Sequence, residues 1–191
     1  SKENPLNSAI TDISCFNNLH TDSKCLVGTQ EEGIFEYREN DEPIPARNAG
    51  LRTIGSDGFE PITSIAIKPG VKTHSTVFAA TWSKAMFVSN DQGKTWQLNN
   101  AGITKTPQAD KYHLPHFTHI CVSKSSKTDA TLFMAGFDGL FKSEDSGKTW
   151  RQVETLLTKR VEGVGISPDY ASSKTIAVAT QYGGVYLSHD E

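Results

Sequence analysis

Two copies of one eight-residue pattern constrain this chain more than any other feature. Ser89-Asn90-Asp91-Gln92-Gly93-Lys94-Thr95-Trp96 returns as Ser143-Glu144-Asp145-Ser146-Gly147-Lys148-Thr149-Trp150, so both read Ser-x-Asp-x-Gly-x-Thr-Trp, and a third copy begins at Ser188-His189-Asp190. The pattern has a physical rationale in a tight hairpin. Backbone N–H groups at such an apex lack ladder partners, and short Ser and Asp side chains accept from them. Gly93 and Gly147 supply the positive φ that a turn with a bulge needs. Thr95 and Thr149 then start a strand, and Trp96 and Trp150 cover the hairpin with a large apolar ring. Ser89, Asp91, Gly93, Thr95 and Trp96, with Ser143, Asp145, Gly147, Thr149 and Trp150, are therefore scaffold. A calcium loop would need further ligands and a bidentate Glu that neither copy has, so no metal is expected here.

The pattern extends into a full repeat. Four segments align without gaps: Ile10-Thr11-Asp12-Ile13, Ile62-Thr63-Ser64-Ile65, Phe117-Thr118-His119-Ile120 and Val161-Glu162-Gly163-Val164. At a constant distance from each comes a second apolar run, at 25–29, 77–81, 132–136 and 176–180. A third strand follows a short polar turn, at 33–37, 85–89, 139–143 and 184–188, and the eight-residue pattern turns into a more polar fourth. The first unit carries Tyr37-Arg38-Glu39-Asn40-Asp41-Glu42 in place of that pattern. Short apolar strands between Gly, Asn, Asp and Ser turns, without helical periodicity, predict an all-β fold. A four-stranded antiparallel unit recurring about every fifty residues predicts a β-propeller blade. Small residues at Ser14, Ala66, Cys121 and Gly165 suit crowding around a central axis. The expectation is one domain over 1–191, with about four repeat units near 10–51, 62–103, 117–157 and 161–191, the last incomplete.

These residues resemble the BNR or Asp-box β-propeller superfamily across essentially the whole chain. That superfamily includes sialidases, xyloglucan-cleaving glycosidases, sortilin-type luminal receptors and a propeller factor of photosystem II assembly. Gly165-Ile166-Ser167-Pro168-Asp169-Tyr170, followed by Gly183-Gly184-Val185-Tyr186-Leu187-Ser188, is similar to the sortilin and xyloglucanase type rather than the sialidase type. The resemblance implies a secreted, periplasmic or luminal location.

A propeller works by closure, because an open ring leaves sheet edges and a blade face bare. Three complete units and a partial one predict a fragment of a larger propeller, with further blades in a longer chain. The alternative is a four-bladed ring in which Asn4-Pro5-Leu6-Asn7-Ser8-Ala9 pairs against Gly184–Ser188. The three cysteines cannot all pair within one chain. Cys15 and Cys25 align with apolar core positions and Cys121 with a small axial one, so buried free thiols are the preferred expectation. A Cys15–Cys25 bridge within one blade is the other.

A formal charge of −3 gives no electrostatic footprint for nucleic acid, and no apolar stretch approaches a membrane span. Function in such a fold sits where the loops between second and third strands meet the inter-blade loops. The mouth loops hold Gln30-Glu31-Glu32, Trp82-Ser83-Lys84, Phe137-Asp138 and Gln181-Tyr182, joined by loops 51–60, 104–116 and 158–160. Trp82, Phe137 and Tyr182 are read as equivalent aromatics that stack on a sugar or pack on a peptide, the alternative being packing between adjacent blades, for Phe137 more than for Trp82. The candidate ligand-binding set is Trp82, Lys84, Phe137, Asp138, Gln181 and Tyr182. His113, His116 and His119 recur at three-residue spacing, yet Pro115 breaks any helix that would cluster them, so they predict no metal site.

An enzyme needs catalytic groups. The arginine framing that the sialidase resemblance would require is missing, and a xyloglucanase-like reading recruits Asp138 with Glu31 or Glu32 as its carboxylates. Two functions follow: a non-catalytic binding or scaffold propeller with a protein, peptide or carbohydrate ligand, which is preferred, and part of a glycoside hydrolase. Neither calls for a cofactor.

Overall fold

The computed structural model describes residues 8–16, 24–38, 44–45, 48, 50–51, 58–70, 75–84, 86–103, 115–123, 131–156 and 160–190. Four antiparallel sheets follow one another along the chain. Blade 1 contains β1 (Ile10–Cys15), β2 (Lys24–Thr29), β3 (Ile34–Arg38) and β4 (Ile44–Pro45); blade 2 contains β5 (Ile62–Lys68), β6 (Thr76–Thr81), β7 (Met86–Ser89) and β8 (Gln97–Leu98). Blade 3 contains β9 (Phe117–Val122), β10 (Leu132–Gly136), β11 (Gly139–Ser143) and β12 (Arg151–Gln152). Blade 4 has β13 (Val161–Ile166), β14 (Ile176–Thr180) and β15 (Gly184–Ser188), with a one-turn helix α1 (Tyr170–Ser173) between the first two. Each sheet meanders outward in sequence order, and the innermost strands pack in the order β1, β5, β9, β13. The chain is an all-β propeller of four-stranded blades, the fourth having three strands among the described residues.

The four aligned motifs share a backbone irregularity. The register slips between Ile10 and Asp12, between Ile62 and Ser64, and between Val161 and Gly163, while Phe117 and His119 face successive residues of β10 across Thr118. The second residue of each motif is thus bulged out of the ladder, which bends the innermost strand and frees backbone groups. Asp12 reaches across the blade gap to the next innermost strand, its Oδ2 accepting from Ile65 N at 2.7 Å.

Strand alternation builds the core. On β6, Val77 and Ala79 pack with Leu26, Ile34, Ile65, Phe87 and Trp96 between blades 1 and 2. Their neighbours Phe78 and Ala80 turn the other way, to Met86, Phe117, Leu132, Phe141 and Trp150 between blades 2 and 3. A third cluster with Phe133, Leu140, Val164, Tyr170 and Val178 joins blades 3 and 4. Because both faces of β6 and β10 are buried, these strands read as continuous apolar runs.

Both eight-residue turns form as their residues dictate. Ser89 Oγ donates to Asp91 Oδ1 at 2.7 Å and accepts from Gly93 N at 2.8 Å. Asp91 also accepts from Lys94 N, Thr95 N and Thr95 Oγ1. The second turn repeats this through Ser143, Asp145, Gly147 and Thr149. Gly93 and Gly147 have φ of 88° and 81°, and the preceding Gln92 and Ser146 are left-handed as well, at 63°. Trp96 and Trp150 reach beyond their own hairpins into the cores between blades. Neither indole N–H has a hydrogen-bond partner among the described residues, so packing holds both rings.

A second repeated element is Asn-Ala-Gly-(Leu/Ile) at 48–51 and 100–103. Asn48 Nδ2 donates to Glu32 O and its Oδ1 accepts from Ile34 N; Asn100 does the same with Lys84 O and Met86 N. Each asparagine thus clamps the end of its blade to the start of the third strand. Gly50 and Gly102 have φ of 95° and 83°, and a Cβ there would lie about 2 Å from the carbonyl oxygen of Trp96 or Trp150.

The preferred expectation for the cysteines is overturned: Cys15 and Cys25 form a disulfide, directly opposite one another in the β1–β2 register. The pairs aligned with them, such as Ile67 with Val77, face each other in the same way. Cys121 is free, and burial pushes its thiol up to about 12, offset in part by a hydrogen bond from the Phe133 backbone. In the four-bladed alternative, residues 4–7 and His113 of the loop histidines lie outside the described residues. Ser8 and Ala9 are engaged within blade 1, accepting from Glu31 N and Gln30 N rather than meeting β15.

Candidate functional site

The mouth is built by one hydrogen bond repeated in every blade. The residue after the second strand donates its N–H to the residue before the innermost strand: Gln30 to Ala9, Trp82 to Pro61, Phe137 to His116 and Gln181 to Arg160, each at 3.0 Å. Threonine hydroxyls brace the turns, Thr29 Oγ1 accepting from Glu32 N, Thr81 Oγ1 from Lys84 N and Thr180 Oγ1 from Gly183 N. These bonds set the equivalence of the mouth positions. Trp82 and Phe137 correspond, but the fourth blade offers Gln181 there, and Tyr182 lies one residue out of step, 93% exposed.

Across the mouth the side chains form a row. The His116 ring stacks on Trp82, with centroids 4.9 Å apart and an 18° interplanar angle, and its Nδ1 lies 2.6 Å from the Trp82 carbonyl oxygen. A carbonyl only accepts, so Nδ1 carries the proton. Phe137 meets Trp82 edge-on at 5.1 Å and His116 at 5.7 Å. The Arg160 guanidinium lies 3.5 Å from the Phe137 ring centroid, and its Nε pairs with Glu162 Oε1 at 2.7 Å. Trp82, His116 and Phe137 thus all touch one another and Arg160 extends the cluster over Phe137, with Trp82 and Phe137 from loops after second strands and His116 and Arg160 from those before innermost strands. Trp82 keeps 39% of its surface exposed. Such a shelf presents π-faces and a delocalised cation to a ligand.

The carboxylates nearby are engaged or turned inward. Glu60 is buried and accepts from Ser83 Oγ at 2.5 Å. Asp138 is 5% exposed, which counts against the role of an open mouth carboxylate. Glu31 is exposed and Glu32 half-buried, both on blade 1. Lys84 contributes backbone groups to the turn, its N–H to Thr81 and its carbonyl to Asn100. No cluster of three metal-ligating side chains occurs among the described residues.

Of the sequence-derived candidates, Trp82 and Phe137 come together, whereas Gln181 and Tyr182 stand outside the row. His116 and Arg160 end the mouth loops 104–116 and 158–160 but stand outside the candidate ligand-binding set. Their signal lay in the repeat: both directly precede an innermost strand, at the positions of Ala9 and Pro61, and that position faces the mouth aromatic of the preceding blade.

No protein-family model and no curated protein matches the sequence. The fold is similar to a GH74 xyloglucanase from Xanthomonas campestris (TM-score 0.62, 13% identity, 95% of this chain and 28% of that one). It is also similar to BBS1N in complex with ARL6DN (TM-score 0.60, 17% identity, 93% of this chain and 51% of that one). A third likeness is to the computationally designed protein Ika4 (TM-score 0.56, 13% identity, 97% of this chain and 94% of that one). The chain thus spans about half the length of BBS1N and just over a quarter of the xyloglucanase. At such identities the likeness is one of fold.

Proposed function

We propose that this chain is a non-catalytic binding propeller of the Asp-box type, whose protein, peptide or glycan ligand lies on the aromatic row of the mouth. The observation that carries this reading is the continuity of Trp82, His116, Phe137 and Arg160 across two blade boundaries, with Trp82 still open to solvent. A row of rings already braced by stacking and hydrogen bonds loses little freedom when a ligand lands on it. The hydrolase alternative, which recruits Asp138 with Glu31 or Glu32, finds less support because Asp138 is buried. Among proteins of similar fold, one is a GH74 xyloglucanase and another was crystallised with a protein partner, so both functional classes use this architecture. The Cys15–Cys25 bridge supports a secreted, periplasmic or luminal setting, where such bonds persist.

The test is a binding screen of oligosaccharide and peptide arrays, with wild type beside Trp82→Ala and Arg160→Ala. A saturable ligand whose affinity falls at least about tenfold in Trp82→Ala, with the ligand recovered intact, supports the reading. A ligand bound equally well by Trp82→Ala, or one recovered cleaved, overturns it.

A further inference from the structure

Arg160 stands where the other blades place Ala9, Pro61 and His116, and it brings a permanent positive charge to that position. Its guanidinium is held twice, 3.5 Å from the Phe137 centroid and by Nε against Glu162 Oε1 at 2.7 Å. A guanidinium presents its donors in a rigid fork, and Glu162 occupies the Nε side. Among the described residues no acceptor meets the Nη groups, and the side chain keeps 35% of its surface exposed. The Lys84 ammonium, on the mouth turn that carries Trp82, has no acidic partner among the described residues either. The described mouth carboxylates of blades 2 to 4 are committed: Glu162 to Arg160, Glu60 to Ser83 Oγ, and Asp138 to the interior. The charge left to meet a ligand is therefore positive, on a chain whose formal net charge is −3.

The rings supply the other half of the site. His116 stacks on one face of Trp82, and Arg160 lies over Phe137. Trp82 remains exposed, whereas His116 and Phe137 are half-buried. The mouth thus offers one stacking surface beside one guanidinium edge. A polysaccharide repeats its ring along its length and gains from a run of open faces. A single aromatic side chain beside a single carboxylate is peptide chemistry. Both halves bear on the same Phe137 ring, the indole with its centroid at 5.1 Å and the guanidinium carbon at 3.5 Å. Alternate side chains of an extended peptide point the same way about 6.7 Å apart, a spacing that suits this separation.

We propose that the ligand of this mouth is an extended acidic peptide segment. It places an aromatic side chain on Trp82 and, two residues away, an Asp or Glu carboxylate that accepts from the Nη groups of Arg160. The inference rests on the mouth being a binding surface and narrows it to one ligand class.

The probe is the peptide Gly-Ser-Tyr-Ser-Glu-Ser-Gly, capped at both ends so that its glutamate is its one carboxylate. It is titrated into the isotope-labelled full chain while the tryptophan indole N–H signals are followed by NMR, with the Trp82 signal assigned from Trp82→Phe. The Trp82 signal should move saturably, and those of the buried Trp96 and Trp150 should not. Affinity should fall at least about tenfold when glutamine replaces the peptide's glutamate, a change that leaves the protein untouched. Arg160→Gln, verified as folded by its thermal melt, should bind the glutamate peptide only as well as wild type binds the glutamine peptide. Equal affinity for the two peptides overturns the proposal, as does glutamate-dependent binding that survives in Arg160→Gln. Movement of Trp82 by the glutamine peptide, cellotetraose or trigalacturonate, but not by the glutamate peptide, overturns the acidic-peptide assignment and leaves the mouth standing as a binding surface. A Trp82 signal unmoved by all four probes overturns the assignment and counts against the mouth as well.

Discussion

Asp91 shows how one side chain holds a turn. Burial pushes its carboxyl up, but the bonds from Thr95, Ser89 and Lys94 outweigh that and hold it at about 2; Asp145 is lowered in the same way. A carboxyl whose folded-state pKa is depressed stabilises the fold above its ordinary value, and that contribution is lost as pH falls through the folded value. Chemical denaturation between pH 5 and about pH 2 should therefore show stability falling, with a smaller fall in Asp91→Asn. At pH 7, Asp91→Ala should cost about 1–2 kcal/mol, since backbone N–H groups of the turn lose their acceptor. These residues were legible in the sequence because every contact they make inside the turn lies within a few positions. The mouth row was only half legible: Trp82 and Phe137 stand out as aromatics on loops, whereas His116 and Arg160 acquire meaning only against rings of the preceding blade.

Trp150 and Trp82 illustrate two uses of the same side chain. Trp150 fills the gap between blades 2 and 3, and Trp82 lies on the mouth surface. Trp150→Ala should destabilise the fold by about 3–5 kcal/mol in urea titrations, and Trp82→Ala by far less. An equal loss for the two would contradict the separation of scaffold from site. The strands themselves were readable as short apolar runs, and the bulge recurs at the second residue of each aligned motif. The asparagine clamp is not legible in the sequence, although Asn48-Ala49-Gly50-Leu51 and Asn100-Ala101-Gly102-Ile103 are nearly identical. Its bonds reach back fourteen and sixteen residues, beyond any turn rule, and only the folded blade brings those groups together. The cysteine pair shows the same limit. Repeat alignment makes Cys15 and Cys25 neighbours, but the register that sets them face to face is a property of the sheet.

Four blades joined by three packed interfaces form an arc, and no extended packing joins β13 to β1 among the described residues. The exposed residues follow from that. Ile13 on β1 is exposed where the aligned Ile65 and Ile120 are buried, and Val185 and Leu187 of β15 are 70% and 67% exposed where Leu140 and Lys142 are covered. Blade number and order were legible because the repeat is regular; the closure of the ring was not, because it depends on which faces meet. The measurement that tests this account most directly is residue-resolved amide hydrogen exchange on the chain. Strands covered on both faces, β6 and β10, should exchange slowest, and alternate amides on the open edge of β15 should exchange orders of magnitude faster than the matching amides of β11. If β15 were as protected as β11, and β1 as β5, the terminal blades would be covered as in a closed ring, contradicting the open arc.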